Sequence, residues 1–373
     1  MVKVELSKKP FNIKIALLDV GQGDTIVVSC PETHEAIVVD CVNADAVLEY
    51  LEQEQIKYFR GIIITHLHTD HYSEVDYLLY RSNLVPGMNE CEKLGFSQLT
   101  DAKNYYKLLL DADEHSFYYE EISQGGKGSK HTPLKNMRRW CGNDKSKYII
   151  PQVQNKPLPL PFNGTLAKCI QLIHPYAFDI PDLQDRGLNN TSVILRVIGP
   201  SSSALLTGDL EPVGWKQLLD NYPDLHCDVL KFPHHGGAWK DTDVDKLLNI
   251  VNPSIVVISV GSDGYEKYTH PNPYVFEALF KRQIKVLCTQ ATNQCCEPQE
   301  LVLSKQTSVL DQLKLQASKN GHKLIGSKHG CPCAGTVIVE LGDAVRVIQP
   351  EITFHRQAII EPHFKKRRCN FEN

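Results

Sequence analysis

Four side chains able to ligate metal follow one apolar run within six positions, and this cluster constrains the chain more than any other feature. Residues 61–65 read GIIIT, a short continuous apolar run typical of a buried strand, and His66, His68, Asp70 and His71 follow it directly. Imidazole and carboxylate groups are the ligands that borderline divalent ions such as zinc prefer. A loop at a strand end can direct alternate side chains towards two adjacent metal positions. The pattern therefore predicts a metal centre at the end of this strand.

Other short apolar runs, each bounded by turn residues, predict an α/β fold with many strands. Two runs within residues 12–29 flank a glycine-containing turn at 21–24, and AIVVD ends a third run at Asp40. Apolar residues at helical spacing follow over 44–53. Later strand-like runs cover residues 169–175, 192–198, 204–209, 228–235 and 254–260. Polar residues concentrate at the carboxyl ends of these runs.

Residues from about 82 to 160 interrupt this pattern and are predicted to form an insertion. They are polar and aromatic and include a basic, glycine-containing stretch at 125–140. Such a mixture can track a nucleic-acid strand by charge and stacking, can form a lid over a small substrate, or can simply be solvated surface. The residues that would carry the first role are Lys127, Lys130, Lys135, Arg138 and Arg139, with Tyr118, Tyr119 and Trp140.

The last quarter of the chain differs again in composition. We expect residues 1–285 to form the main domain and residues 286–373 to form an extension packed on it. The extension is predicted to contain an amphipathic helix at 309–319 and a hairpin that turns at Gly342-Asp343. Its final basic run, 365–368, is expected to be solvated.

The extension also gathers cysteines, which raise the question of a structural zinc ion. The residues are Cys288, Cys295, Cys296, Cys331 and Cys333, with His322 and His329 close in sequence. Cys-Pro-Cys is not the usual Cys-x2-Cys spacing of a zinc knuckle, and free cysteines are commonly buried as small apolar residues. Structural zinc and buried free thiols both stay open.

The order of the motifs resembles that of a known family. His-x-His-x-Asp-His after an apolar strand resembles the signature of the metallo-β-lactamase superfamily. LDVGQGDTIVV, AIVVDC, THLHTDH, LIHP, NNTSVILRV, ALLTGDLE, VLKFPHHGG and YTHPNP occur in the order expected of the metallo-β-lactamase-like domain of ComEC DNA-uptake proteins and their stand-alone relatives. The resemblance implies a four-layer αββα fold, to which the insertion and the cysteine-containing extension are added.

The same resemblance assigns metal ligands residue by residue. Three histidines would hold one ion, two histidines and an aspartate would hold a second, and another aspartate would bridge the two. The residues are His66, His68 and His174 for the first ion, Asp70, His71 and His235 for the second, and Asp209 for the bridge. His235 is preferred to His234 because it adjoins the glycine turn. Zinc and manganese both suit this ligand set.

Further residues would support the ligands or the reaction. The resemblance implies that Asp40 orients a metal-binding histidine through a hydrogen bond, and Asp24, in the glycine-containing loop beside the metal site, is expected to act similarly. Asp70 could accept a proton from water, while His270 or His234 could donate one to a leaving group. A histidine that precedes proline, as His270 does, can equally cap a turn.

Composition limits the function without choosing the substrate. With 373 residues, 42% of them hydrophobic, the chain can bury a substantial core. Its net charge of -4 gives no overall attraction to nucleic acid, so local basic patches or metal ions would have to hold a polyanion. The sequence has no apolar stretch of membrane-spanning length and no apolar signal core at its start, which predicts a cytoplasmic protein.

Two paired metal ions suit hydrolysis of a phosphodiester, so we expect a metal-dependent phosphodiesterase, and a nuclease in particular. The alternatives are hydrolysis of a small cyclic nucleotide, phosphate ester or acyl compound, and a metal-binding role within a bacterial defence or DNA-processing assembly. The expected partners are accordingly nucleic acid or nucleotide as substrate and, in the last case, another protein. One metal site on this scaffold serves many substrates, so fold alone does not decide among these.

Overall fold

A computed structural model describes residues 11–96, 132–141, 144–149, 151, 153, 156–176, 187–237, 239–262, 270–292, 294, 333–350 and 356. Its strands are β1 Ile13–Leu17, β2 Ile26–Cys30, β3 Glu35–Val39, β4 Tyr58–Ile64, β5 Leu94–Phe96, β6 Tyr148–Ile149, β7 Leu158–Pro159, β8 Ile170–His174, β9 Ile194–Ile198, β10 Ser203–Leu206, β11 Val229–Lys231, β12 Ile255–Ile258, β13 Lys285–Cys288, β14 Val337–Leu341 and β15 Val345–Gln349. Its helices are α1 Ala44–Gln53, α2 Thr69–Tyr72, α3 Val75–Arg81, α4 Thr132–Cys141, α5 Pro212–Asn221, α6 Asp241–Val251 and α7 Pro273–Lys281.

The strands form two mixed sheets. The first has the order β15-β14-β1-β2-β3-β4-β5-β6 and the second has the order β13-β12-β11-β10-β9-β8-β7. Strands β3 to β6 pair in parallel in the first sheet, as do β10 to β13 in the second. Strands β1 and β8 run in the same direction as these because each is separated from them by one antiparallel strand. Within each sheet, the carboxyl ends of these strands therefore lie on the same side, at the end where the strands run into their following loops.

Both faces of the sheets are covered, as the continuous apolar runs predict. Along β3, Ile37 and Val39 pack into the core shared with the second sheet, whereas Ala36 and Val38 face a separate apolar cluster. That second cluster contains the buried sides of α1, α3 and α4. Helices α5, α6 and α7 bury their apolar sides against the second sheet. The layers are therefore helices, sheet, sheet and helices, the αββα arrangement that the motifs imply.

Local sequence signals set several helix ends. The Asn43 side chain accepts a hydrogen bond from the Ala46 N–H at 3.0 Å and begins α1, which spans the residues predicted from helical spacing. Asn272 accepts from the Tyr274 N–H at 3.1 Å in the same way, ahead of Pro273 at the start of α7. Asn252 ends α6 in the left-handed conformation, with φ 45°.

The segment predicted as an insertion also contributes strands. Within residues 82–160, the short strands β5 and β6 continue the first sheet in parallel, and β7 forms an edge of the second. Three-residue and two-residue strands carry too little periodicity to be recognised in a polar sequence. Tyr118, Tyr119, Lys127, Lys130 and the side chains of Lys135 and Arg138 lie outside the described residues.

The predicted hairpin in the C-terminal extension is confirmed: β14 and β15 pair antiparallel across the turn at Gly342-Asp343. Strand β14 also pairs with β1, so the hairpin completes the first sheet. The predicted helix at 309–319, the basic run at 365–368 and the domain boundary at 285 stay predictions, the first two because they fall outside the described residues. Within the described ranges, none of the helices is long and apolar enough to cross a bilayer.

Candidate metal centre

The predicted ligands converge where the carboxyl ends of the two sheets meet. Residues 66–71 follow β4 of the first sheet, and His174 ends β8 of the second. Asp209 follows β10 and His235 follows β11. Each of these strands is a short apolar segment whose last residues pass from core to polar loop, which is why polar side chains from distant parts of the sequence meet at one place.

The ligands assigned to the second ion lie close together. One ligand atom from each of Asp70, His71, Asp209 and His235 can be chosen so that all four lie within 4.8 Å of one another. Asp209 Oδ2 lies 3.1 Å from His71 Nε2 and 3.4 Å from His235 Nε2, and His235 Nε2 lies 3.8 Å from Asp70 Oδ2. Bonds of about 2.0–2.2 Å around a tetrahedral ion would separate neighbouring ligand atoms by roughly 3.3–3.6 Å. The spacing fits such an ion.

The ligands assigned to the first ion adjoin this group. His66 Nε2 lies 3.2 Å from His68 Nδ1 and 4.0 Å from the same Asp209 Oδ2. His174 Nδ1 donates a hydrogen bond to the Ser192 carbonyl at 2.8 Å, and Oγ of the same serine lies 3.4 Å from His66 Nδ1. Burial lowers the pKa of His174 to about 4, so this ring is neutral at neutral pH. Asp209 Oδ2 thus lies between the two histidine groups, where a bridging ligand belongs.

The tautomers of three buried rings leave Nε2 available to a cation. His174 Nδ1 donates to the Ser192 carbonyl and His235 Nδ1 donates to the Ser259 carbonyl, each at 2.8 Å, while His71 Nδ1 donates to Asp40 Oδ2 at 2.7 Å. Each Nε2 then carries a lone pair. The Nε2 atoms of His174 and His235 are buried and have no hydrogen-bond partner among the residues that the structure describes. Buried polar atoms of this kind are rare unless a ligand or ion takes them, so the residues fit divalent metal.

Charge leads to the same conclusion. Asp24, Asp40 and Asp209 are buried and Asp70 is partly buried, while Lys231 is the buried ammonium group that the described residues place among them. Uncompensated buried carboxylates are costly. Burial lowers the pKa of His71, but Asp209 and Asp40 outweigh it and raise that pKa well above its usual value. A second proton or a metal ion at His71 Nε2 would supply the positive charge that these carboxylates favour.

Asp40 contacts His71 as the family pattern implies. Its Oδ1 accepts a hydrogen bond from the Thr65 N–H, and its Oδ2 accepts from Thr65 Oγ1 and His71 Nδ1, all at 2.7 Å. Asp24 is placed differently: it forms an ion pair with Lys231, and its oxygens lie 3.9 Å from Nδ1 of His71 and of His235. Asp40 therefore orients one ring directly, whereas Asp24 acts on the group through charge.

We expect Asp40→Asn to weaken metal binding by about 10- to 100-fold without unfolding the chain. Asparagine is nearly isosteric and tolerates the positive φ of 57° at this position, but its amide cannot accept the proton of His71 Nδ1 while also accepting from both Thr65 donors. Competition with a chromogenic chelator measures the affinity. Unchanged affinity in a folded Asp40→Asn variant would show that this contact does not prepare His71 for a metal ion.

Sequence reasoning missed two residues that hold the ligands in place. Ser192 Oγ accepts a hydrogen bond from the Asp209 N–H at 3.1 Å and lies 3.4 Å from His66 Nδ1. Lys231 is buried at the end of β11. A lysine in the otherwise apolar run VLKFP, which precedes the histidine pair, was the available signal. For Ser192 the motif was recognised, but nothing in it indicated which atom the hydroxyl would meet.

His234 and His270 lie beside the ligands as a second pair of histidines. Their ring centroids are 5.4 Å apart, and both rings are only partly buried. His234 Nδ1 lies 3.5 Å from Glu211 Oε1, and Glu211 also accepts a hydrogen bond from Asn189 Nδ2 at 2.9 Å. Burial, with smaller effects from His234 and His235, lowers the pKa of His270 to about 4. Both rings can face a substrate at the open side of the site.

The glycine-containing loop approaches the ligands as closely as its sequence implies. A side chain on Gly23, whose φ is 122°, would place its Cβ 2.4 Å from the Asp70 carbonyl oxygen. The next residue, Asp24, donates its N–H to that same oxygen at 3.0 Å. Glycine at position 23 thus lets this loop lie directly against the turn that carries Asp70.

The predicted cysteine cluster and the basic residues of the insertion lie mostly outside the described residues. Cys288 and Cys333 are buried, and the other cysteines and histidines of the proposed zinc cluster lie outside the described residues. In the insertion, Arg139 is exposed, while the Trp140 ring lies 4.8 Å from the Lys147 ammonium group. Structural zinc and nucleic-acid contacts by the insertion both stay predictions.

Comparison with known proteins agrees with this geometry. Residues 18–106 match the model of the metallo-β-lactamase superfamily. The chain is 23% identical over 299 residues to ComE operon protein 3 of Bacillus subtilis (strain 168), covering 74% of this chain and 32% of that protein. It is 35% identical over 103 residues to Competence protein ComA of Neisseria gonorrhoeae, covering 27% of this chain and 14% of that protein. This chain therefore spans about a third or less of each relative.

Among solved structures, the metallo-β-lactamase fold protein YhfI from Bacillus subtilis is similar, with 12% sequence identity and a TM-score of 0.34 over 66% of this chain and 85% of that one. The resemblance to the metallo-β-lactamase superfamily that the motifs carry is confirmed, and so is the metallo-β-lactamase fold.

Proposed function

We propose that this metallo-β-lactamase-fold chain is a metal-dependent phosphodiesterase that acts on nucleic acid. The observation that carries the proposal is that His66, His71 and His235 lie within 4.0 Å of Asp209 Oδ2, while Nε2 of His174 and His235 is buried and lacks a hydrogen-bond partner among the described residues. One ion would be held by His66, His68 and His174, the other by Asp70, His71 and His235. When bound, two such ions supply a water of lowered pKa and stabilise charge on the attacking and departing oxygens.

The protein's own groups would position the substrate and move protons. The Asp70 side chain is 36% exposed, so its carboxylate reaches the open side of the site and can accept a proton from the attacking water. His234 and His270 lie on that side as well. Burial lowers the pKa of both rings in the substrate-free site, whereas a bound phosphodiester anion beside them would raise it, so that either ring could then donate a proton to a leaving oxygen. Glu211 Oε1 lies 3.5 Å from His234 Nδ1, and the 5.4 Å separation of the two rings would let them contact one phosphodiester together.

We expect His270→Ala to separate proton donation from metal binding. Loss of a general acid slows release of a poor leaving group, such as a nucleoside hydroxyl, by roughly 10²- to 10⁴-fold. Release of p-nitrophenolate, which needs little protonation, should change far less. The measurement is the ratio of the two rates, with metal content determined alongside. His234→Ala is the matched variant, and an unchanged ratio in both would exclude these rings as the acid.

Cleavage assays with several substrates test the proposed function. Purified protein loaded with zinc or manganese is incubated with labelled single-stranded and duplex DNA and RNA, and with bis-p-nitrophenyl phosphate; His68→Ala is the control. Cleavage of polymers that is lost in the variant would support a nuclease. Cleavage of the small diester alone would favour a nucleotide or small-ester substrate. Inertness towards all of them would contradict the proposal and favour acyl substrates or dependence on a partner protein.

A further inference from the structure

Lys231 places a buried ammonium group against the bridging carboxylate. Its side chain is fully buried, and Nζ donates a hydrogen bond to the Gly208 carbonyl at 2.8 Å. Nζ also forms an ion pair with Asp24 Oδ2 and lies 3.5 Å from Asp209 Oδ1. Burial alone lowers the pKa of Lys231, but Asp24 and Asp209 reverse this effect and raise it, so the group is charged. One fixed cation thus contacts two of the site's four carboxylates.

These contacts make the two oxygens of Asp209 unequal. Oδ1 faces Lys231, whereas Oδ2 faces Nε2 of His71 and of His235 at 3.1 and 3.4 Å. The Asp209 N–H is held by Ser192 Oγ at the same time, so the residue is fixed from both ends. A carboxylate held in this way presents one oxygen to the ligand group and keeps the other away from it.

Lys231 also forms an ion pair with Asp24, a carboxylate that could otherwise act as a metal ligand. Asp24, Asp40 and His71 offer one ligand atom each within 4.8 Å of one another, a second group of metal-binding geometry beside the first. Because Lys231 neutralises Asp24, this second group already has its cation. The charge pattern therefore distinguishes carboxylates that are available to metal from those that are not.

We propose that Lys231 is a positioning residue: it withholds Asp24 and Asp209 Oδ1 from coordination, so that Oδ2 is the Asp209 oxygen that would be available to bound metal. This inference rests on the proposed two-metal function. It concerns the number and kind of ligands at the ions, and so it can be tested by a readout other than turnover.

Visible absorption of the Co²⁺-loaded protein tests it, because absorption intensity depends on coordination number and geometry. Lys231→Met alone would leave Asp24 buried without its cation and would destabilise the fold. The informative variant is therefore Asp24→Asn with Lys231→Met, which removes both charges and nearly preserves volume. Asp24→Asn alone is the matched control, since it retains Lys231 beside Asp209. Thermal unfolding confirms that each variant folds.

In the double variant we expect the absorption per bound Co²⁺ to fall roughly twofold or more, because Asp209 Oδ1 becomes free to coordinate and raises the coordination number. Asp24→Asn alone should keep the wild-type spectrum. An unchanged spectrum in the folded double variant would overturn the proposal and leave Lys231 as a structural ion pair. Failure of the wild-type chain to take up Co²⁺ or Zn²⁺ at all would instead overturn the proposed function itself.

Discussion

Asp209→Ala is expected to reduce phosphodiester hydrolysis by about 10³-fold or more and to lower the metal content of the protein. Substitution of a residue that only orients a metal ligand commonly lowers metal affinity or activity 10- to 100-fold. Asp209 Oδ2 contacts ligands of both proposed ions, so loss of Asp209 should lower activity further. The fold should survive, because Lys231 keeps its ion pair with Asp24. Rates with bis-p-nitrophenyl phosphate and metal analysis by mass spectrometry provide the measurement.

Asp220→Ala is the matched control, since that carboxylate is 65% exposed on α5 and pairs only with Lys216 among the described residues. It should leave rate and metal content unchanged. His68→Ala removes a proposed ligand of one ion only and should also abolish turnover. Full activity in folded Asp209→Ala and His68→Ala proteins would rule out the two-metal site as the catalytic centre.

The second large effect is expected from Gly23→Ala. A methyl group there would lie 2.4 Å from the Asp70 backbone oxygen, so either the loop at 21–24 or the turn carrying Asp70 must move. The added strain of a positive φ costs about 1–2 kcal/mol. We therefore expect the free energy of unfolding to fall by roughly 2–4 kcal/mol in total and metal affinity to fall with it. Urea unfolding and chelator competition measure the two effects.

Gly21→Ala separates the two causes. Gly21 lies in the same loop with φ 80°, but within the described part of the chain no atom lies within 4 Å of an added Cβ there. The Gly21→Ala variant should therefore lose only the part of the free energy of unfolding that comes from backbone strain, about 1 kcal/mol, and should keep its metal affinity. If Gly23→Ala were no more harmful than Gly21→Ala, close packing of this loop on Asp70 would not be what shapes the site.

The metallo-β-lactamase fold was predictable from the order of the motifs, whereas the residues of the candidate site were readable to different degrees, for a physical reason. His66 to His71 follow a buried strand, so both their chemistry and their position were readable from one loop. His174, Asp209 and His235 lie far apart in sequence, and only the order of family motifs indicated that they would meet. Short strands such as β5 and β6 are formed by pairing with an existing sheet edge, which leaves little trace in their own residues.

Contacts made by side chains with the backbone were beyond prediction. Lys231 and Ser192 act by reaching the Gly208 carbonyl and the Asp209 N–H, and such partners depend on how two sheets are aligned. The choice of His235 over His234 rested on the adjacent glycine alone. In the structure His235 is buried and faces Asp209, whereas His234 lies at the open side, so the geometry supports that choice as part of the proposal.

The ligands come from both sheets: His66 to His71 follow β4 in the first, and His174, Asp209 and His235 follow strands of the second. A cation held by all of them would fasten one half of the molecule to the other. Any ion that binds only the folded chain adds stability by mass action, about 2.7 kcal/mol at a free concentration 100 times its dissociation constant. Metal supply would then affect the resistance of the protein to proteolysis as well as its rate of turnover, because metal-free chains would unfold more often.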